Sequence, residues 1–228
     1  MGLLSKIKFG KNGERVGTAV TSVMKSTTNH SADFPVKKPK ESLAKVSKSK
    51  KNKDANGMIR AINNSQVTLL VVPSETYNNS LLNFIKRIDK NTNGYISINK
   101  GYSALVESFL KYKIQLSNFF FIDCVTKTIT EPKRENNCVY VSSPNALTEL
   151  ALAITKIIKA DFDNVVLDSL STLLVYHPSK DVTRFIHSVS NKIRENTNIN
   201  FILTIASKDK HSDLFKQVQM LVDETIEL

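Results

Sequence analysis

The sequence predicts a three-layer α/β fold, a mostly parallel sheet between layers of helices, that follows a basic and largely disordered tail. After Gly57, short apolar runs rich in β-branched residues alternate with segments whose apolar residues recur at helical spacing, the signature of strands joined by helical crossovers. Most of these runs are nearly continuous in apolar character, as strands covered on both faces must be. Charge supplies the third observation. Residues 1–56 hold 13 Lys or Arg against 4 Asp or Glu, and residues 57–228 hold 19 against 17, so the tail accounts for +9 of the net +11. A nearly neutral globular part with a basic tail directs any anionic partner to the tail.

The strands read in order as Val67–Val72, Tyr95–Ile98, Phe119–Ile122, Val139–Val141, Val165–Leu167 and Phe201–Ile205, with Thr225–Leu228 as an edge strand. Between them, Leu147, Leu150, Ala151, Ile154 and Ile158 form one helical stripe, and Val182, Phe185, Ile186, Val189 and Ile193 form another. Both stripes read as core. Ser143 followed by Pro144 reads as a helix start, because Ser caps free backbone N–H groups and Pro suits the first helical position. In an open parallel sheet, ligands bind beyond the carboxyl ends of the strands, so the residues just after each strand are the ones to inspect.

Several function classes are excluded or unsupported. The longest apolar runs fall far short of the roughly 20 residues that span a bilayer, so no transmembrane segment is expected. Residues 1–20 lack the apolar region and cleavage site of a signal peptide, which makes a cytoplasmic setting the default expectation. Lys6 stands where a myristoylation signal needs Ser or Thr. Cys124 and Cys138 each adjoin an apolar run and read as small buried hydrophobes in a reduced compartment. With His30, His177, His187 and His211 they show no ligand spacing, so no metal site and no cofactor are predicted.

Residues 1–56 form the tail. From Thr27 to Gly57 it is Lys, Ser, Asn and Pro with few apolar residues, and such a segment cannot bury enough surface to offset its ordering entropy. Its basic patch is Lys37, Lys38, Lys40, Lys48, Lys50, Lys51 and Lys53. Upstream, Val16, Ala19, Val20, Val23 and Met24 recur at helical spacing, while Leu3, Leu4, Ile7 and Phe9 interleave with Lys6, Lys8 and Lys11, consistent with short amphipathic helices. Docking on nucleic acid, on an anionic membrane surface, or as a helix on a partner protein are the functional readings. A solubilising extension is the plain alternative, favoured by the lack of interleaved aromatic residues for base stacking.

Over residues 66–228 the chain resembles the KaiC branch of the RecA-like ATPases. The similar stretches are collinear. Gly94–Ile98, Tyr112–Leu116 and Phe119–Val125 resemble the family's second strand, the end of the helix after it and the third strand. Asn164–Ser171 is similar to the Walker B strand, which ends in Asp followed by Ser. Asp181–His187 through Asn200–Thr204 resembles the next helix and strand, and Gln219–Leu228 the closing segment. Asn137–Leu150 also resembles archaeal proteins of this branch.

The departures from the family bear on activity. A working member follows its first strand with a Gly-rich loop ending in Lys and Ser or Thr, so that backbone N–H groups and a cation meet the phosphates. Here that place reads Pro73, Ser74, Glu75, Thr76, Tyr77, Asn78, Asn79 and Ser80, with no glycine, no lysine and a carboxylate that repels a triphosphate. The family's paired glutamates after the second strand correspond to Asn99 and Lys100, neither of them a carboxylate base. Asp168, followed by Ser169, stands where the family's Asp orients magnesium. A lone Asp there more often bonds neighbouring groups such as Ser169 than holds a cation. Lys100 reads either as a substitute phosphate contact or as a solvated loop residue. Ser74, Thr76, Ser142, Ser143 and Asn145 lie near helix starts, where they either rim a small-anion site or cap backbone N–H groups.

Loss of the phosphate cradle, its lysine and the base removes positioning, charge neutralisation and nucleophile activation together. The expectation is therefore a pseudo-ATPase that acts as a regulatory or scaffolding binding module. Its alternatives are an ATP-binding protein or ATPase with an unusual phosphate site, and a nucleic-acid-binding protein acting through the tail. The resemblance also implies self-association, and an unidentified protein partner completes the expected set.

Overall fold

The computed structural model describes residues 55–160, 162–195 and 198–228. The predicted tail helices and the basic patch lie outside the described residues. The chain order is α1 (Ala55–Asn63), β1 (Val67–Val72), α2 (Tyr77–Ile88), β2 (Asn93–Ser97), α3 (Tyr102–Lys111), β3 (Phe119–Asp123), β4 (Cys138–Tyr140), α4 (Leu147–Lys159), β5 (Asn164–Asp168), α5 (Leu170–Tyr176), α6 (Ser179–Arg194), β6 (Asn200–Ala206), α7 (Asp213–Gln219) and β7 (Glu224–Glu227). Single 3₁₀ turns occupy Leu116–Asn118, Thr126–Thr128 and Ser207–Asp209.

The strands form one seven-stranded sheet in the order β4-β3-β2-β5-β6-β1-β7. Each described pairing is parallel, so the sheet is parallel throughout, beyond the mostly parallel one expected. Alternating side chains divide the interior into two cores. On one face Leu69, Ile96, Ile122, Leu167 and Leu203 pack against α4, α5, α6 and α7. On the other Leu70, Tyr95, Phe121, Val166 and Ile202 pack against α1, α2 and α3. Phe109 of α3 anchors the second core, edge-on to Tyr95, Phe119 and Phe121 at centroid separations of 5.1–5.5 Å.

Chain order in the sheet sets the functional edge. After β1 the chain crosses to β2, proceeds outward through β3 and β4, then returns to lay β5 beside β2 and β6 between β5 and β1. All carboxyl ends therefore point the same way, and those of β1, β6, β5 and β2 are consecutive.

At the opposite end, Asn93, Asn164 and Asn200 open β2, β5 and β6 in register. Asn164 Nδ2 donates to Asn93 Oδ1 at 2.9 Å and accepts at Oδ1 from Asn200 Nδ2 at 3.0 Å. Asn93 Nδ2 donates to the carbonyls of Asn91 and Ile88 at 2.6 and 3.1 Å. This buried amide ladder fixes the register, since sliding any strand by one residue would leave several amides without partners.

Two local expectations change. Helix α4 begins at Leu147, not at Ser143-Pro144. Ser143 Oγ accepts from the N–H of Asn145 at 3.2 Å and its carbonyl from the N–H of Ala146 at 3.0 Å, so it stabilises a turn one step before the helix. Helix α1, with Met58, Ile59 and Ile62 against the second core, is an element for which the sequence pattern gives no prediction.

Candidate functional site

Asp168, the last residue of β5, has the same parity as Val166 and so faces the layer of α1, α2 and α3. It is 3 % exposed. Its Oδ2 accepts from the Tyr95 hydroxyl at 2.6 Å and its Oδ1 from the Tyr77 hydroxyl at 2.9 Å. Tyr95 rises from β2 next door; Tyr77 opens α2. The Tyr77 oxygen also lies 2.8 Å from Thr204 Oγ1 on β6, which donates to the Leu167 carbonyl at 3.0 Å. The carboxyl group that sequence reasoning singles out is thus closed beneath two phenols from two other elements.

Burial pushes the Asp168 pKa up, opposed by hydrogen bonds from Tyr95 and Tyr77 and by the charge of Lys100. Burial, reinforced by Asp168, raises both phenols well above their ordinary range, so they keep their protons and serve as donors. The sequence expectation is that Asp168 bonds neighbouring backbone or hydroxyl groups such as Ser169; the hydroxyls it meets are those of Tyr77 and Tyr95. Ser169 caps α5, its Oγ accepting from the N–H of Thr172 at 3.2 Å and lying 2.9 Å from the Thr172 hydroxyl.

The segment after β1, where the sequence resemblance would place a phosphate loop, is committed to protein contacts. Pro73, Ser74, Glu75 and Thr76 separate β1 from α2. Ser74 ties this turn to the end of β6. Its N–H donates to Ser207 Oγ at 3.0 Å, and its Oγ accepts from the N–H of Lys208 at 2.9 Å. Thr76 Oγ1 lies 3.0 Å from Ser80 Oγ, and the N–H of Ser80 donates to the Thr76 carbonyl at 2.9 Å. Asn78 Oδ1 accepts from Lys100 Nζ at 2.7 Å, and Asn79 Oδ1 from the Tyr112 hydroxyl at 2.7 Å. Glu75 and Asn99 are exposed. Lys100 is thereby drawn to an amide on α2, and its backbone closes a turn with Ser97 Oγ, which donates to the Lys100 carbonyl at 2.7 Å.

The proposed rim does not converge on this point. Ser142, Ser143 and Asn145 follow β4, three strands from β5 and roughly 14 Å away at ordinary strand spacing. The Ser142 N–H donates to Glu149 Oε2 at 3.0 Å and its hydroxyl donates to the same oxygen, while His177 Nε2 lies 3.1 Å from the Pro144 carbonyl.

Asp123 is a site residue that sequence reasoning leaves unassigned. At the end of β3 and fully buried, its Oδ1 accepts from the N–H groups of Val125 and Thr126 at 2.7 and 2.9 Å, and its Oδ2 from the Tyr102 N–H at 2.7 Å and the Thr126 hydroxyl. Four donors saturate it. A Cβ on Gly101 would stand 2.7 Å from Thr126 Oγ1, which is why glycine precedes Tyr102 where the chain passes this carboxylate. Asp closing an apolar run, with Thr three residues on at Thr126, is the signal that could have marked it as a turn cap.

Cys124 and Cys138 are buried and free, and burial raises both thiols, leaving them poor nucleophiles and poor ligands. No cluster of His, Cys, Asp and Glu able to hold a metal occurs among the described residues. No helix among them is long and apolar enough to cross a membrane.

Comparisons with known proteins fit this picture at the level of fold. The profile of a family of unknown function (DUF7504) matches residues 116–228, the stretch from β3 to the C-terminal strand. A search of curated proteins finds no match. Among solved structures, a KaiC-like protein from the hyperthermophilic archaeon Pyrococcus horikoshii superposes with a TM-score of 0.52 and 13% identity, over 73% of each chain. The described domain therefore has a RecA/KaiC-like α/β fold.

Proposed function

We propose that this chain is a pseudo-ATPase of the RecA/KaiC-like fold, a non-catalytic module that works by binding and has a regulatory or scaffolding role. The observation that carries this reading is the 2.9 Å contact between the Tyr77 hydroxyl and Asp168. In a working site, the residues after the first strand wrap phosphates while the Asp of the Walker B strand helps hold magnesium. Here the first residue of α2 covers that Asp, the turn before it is short, and Glu75 adds negative charge. Phosphoryl transfer uses backbone N–H groups, a cation and an accessible carboxylate; here the carboxylate is buried beneath Tyr77 and Lys100 is hydrogen-bonded to Asn78.

Steady-state ATP hydrolysis by the purified full chain, with Asp168→Ala as control, tests the reading. Turnover no higher than that of the control is expected; turnover that vanishes in Asp168→Ala refutes it.

The net +9 of residues 1–56 supports a second, compatible element: an anionic partner, nucleic acid or an anionic surface, met by the tail. Binding that weakens steeply with salt and disappears when residues 1–56 are deleted is the expected result. Unchanged affinity of the deletion variant would move that role to the α/β domain.

A further inference from the structure

We propose that the ends of α2 and α3 form a basic rim that settles on an anionic membrane, with Leu110 entering the headgroup layer. The proposal rests on the tail reading and deepens it, since it names the anionic surface and gives the α/β domain a part in meeting it.

Charge within the domain is segregated. Residues 57–118, which build β1, β2 and the layer of α1, α2 and α3, hold 7 Lys or Arg against 3 Asp or Glu, whereas residues 119–228 hold 12 against 14. The near neutrality of the whole therefore hides a basic face. Five of the seven cations stand together: Lys86, Arg87 and Lys90 at the end of α2, and Lys111 and Lys113 at the end of α3, all exposed. The Lys86 ammonium donates to the Lys113 carbonyl and so joins the two helix ends. Both helices run back from the carboxyl ends of their strands, which puts the rim at the edge of the sheet opposite Asp168. Against the five cations stand Asp89, buried and paired with Lys86 at 2.8 Å, and Glu107, one turn before Lys111, which leaves the rim at +3.

Helix C-termini favour cations, and Lys86 serves that need by bonding a terminal carbonyl. Arg87, Lys90, Lys111 and Lys113 have no side-chain hydrogen bond or ion pair among the described residues, so four charges are left to meet something outside the domain. Lys113 is a second sign. At φ 55° it occupies backbone that glycine adopts without strain, and lysine there adds a charge to the rim at a cost in stability.

Leu110 decides the kind of partner. It is 60 % exposed, directly precedes Lys111, and accepts at its carbonyl from the N–H of Lys113 at 3.0 Å. A large apolar side chain among cations suits a lipid surface, where the charges meet acidic headgroups and the apolar tip leaves water. Nucleic acid would instead use an open ring for stacking, and Tyr112 at this rim is half-buried with its hydroxyl bonded to Asn79. Four cations and one leucine hold weakly by themselves, so the tail supplies most of the affinity and the rim fixes which face of the domain lies down.

Co-sedimentation of the full chain with phosphatidylcholine vesicles containing phosphatidylserine tests this. Replacing Arg87, Lys90 and Lys111 together by Gln should weaken binding about a hundredfold, at roughly fivefold per cation. The same charge removed from the opposite helical layer, by Lys180→Gln, Arg184→Gln and Lys216→Gln on α6 and α7, should change it by less than about threefold, because charges more than a Debye length from the surface are screened. Leu110→Ala should weaken binding about fivefold. Every one of these side chains is exposed, so the variants keep the fold. Equal losses from the two triple variants overturn the rim and leave the tail reading standing, whereas a deletion of residues 1–56 that binds as wild type does refutes the tail reading alone. Wild type that ignores the vesicles overturns the membrane for rim and tail alike. Unchanged binding by Leu110→Ala overturns the lipid assignment, and if the first triple variant then loses affinity for mixed-sequence duplex DNA, the rim is a nucleic-acid surface.

Discussion

Replacing Tyr77 by Phe removes one oxygen and keeps the ring, which isolates the hydrogen bonds that close the candidate site. Two contacts vanish, those to Asp168 and to Thr204. Thr204 keeps its partner in the Leu167 carbonyl and so adds little to the cost. Asp168 remains buried with one hydroxyl fewer, and a buried polar group deprived of a partner costs about 1–3 kcal/mol. We expect a loss of about 2 kcal/mol, or a Tm lowered by roughly 4–8 °C for a domain of this size. Urea unfolding should show a lower midpoint with an unchanged slope, since the surface exposed on unfolding is the same. The reasoning predicts coupling as well: in a double-mutant cycle with Thr204→Val, the second substitution should cost less once Tyr77 is Phe. A Tyr77→Phe protein within about 0.5 kcal/mol of wild type would refute the claim that Tyr77 is held down by the carboxyl group.

Three further outcomes follow from other parts of the structure. Asn164→Ala leaves Asn93 Oδ1 and Asn200 Nδ2 without their ladder partners, and denaturant unfolding should register a loss of about 3 kcal/mol. Lys113 sits at φ 55° just after α3, where the N–H groups of Ile114 and Lys113 reach back to Phe109 and Leu110 in a Schellman motif that favours glycine. Lys113→Gly should therefore stabilise the protein by about 1 kcal/mol, seen as a raised denaturation midpoint. For Asp223, burial alone would raise the pKa, but the Arg194 guanidinium and the N–H groups of Val67 and Gln66 outweigh it and hold the group below the usual range. A depressed folded pKa means stability present above the unfolded value and lost as pH falls through the folded one, so Asp223→Asn should flatten part of the acid side of a Tm-against-pH curve.

The strands were legible because their chemistry is local. A run such as Val67–Val72 or Phe201–Ile205 has no polar side to turn outward, and it forms a strand buried on both faces, within a residue or two of the predicted limits. The stripes of α4 and α6 were legible for the same reason, since their spacing alone defines the face that is buried. What escaped depends on residues distant in sequence. Tyr77 and Asp168 are 91 positions apart, and nothing near Tyr77 announces that its hydroxyl will meet a carboxyl group rather than solvent. The start of α4 was misplaced because Ser143 can cap a turn as readily as a helix, and the reach of Glu149 back to Ser142 decided between them. The asparagine ladder left a trace that sequence reasoning could have used. Asn93, Asn164 and Asn200 each stand at the head of an apolar run, an unusual residue in a repeated position.

Titration calorimetry of the intact chain with ATP and magnesium addresses the closed site most directly, paired with a thermal scan at the highest nucleotide concentration used. The account predicts no saturable heat and an unchanged Tm. Saturable binding with a raised Tm, corresponding to about 2.7 kcal/mol when ATP stands at a hundred times its Kd, would contradict it.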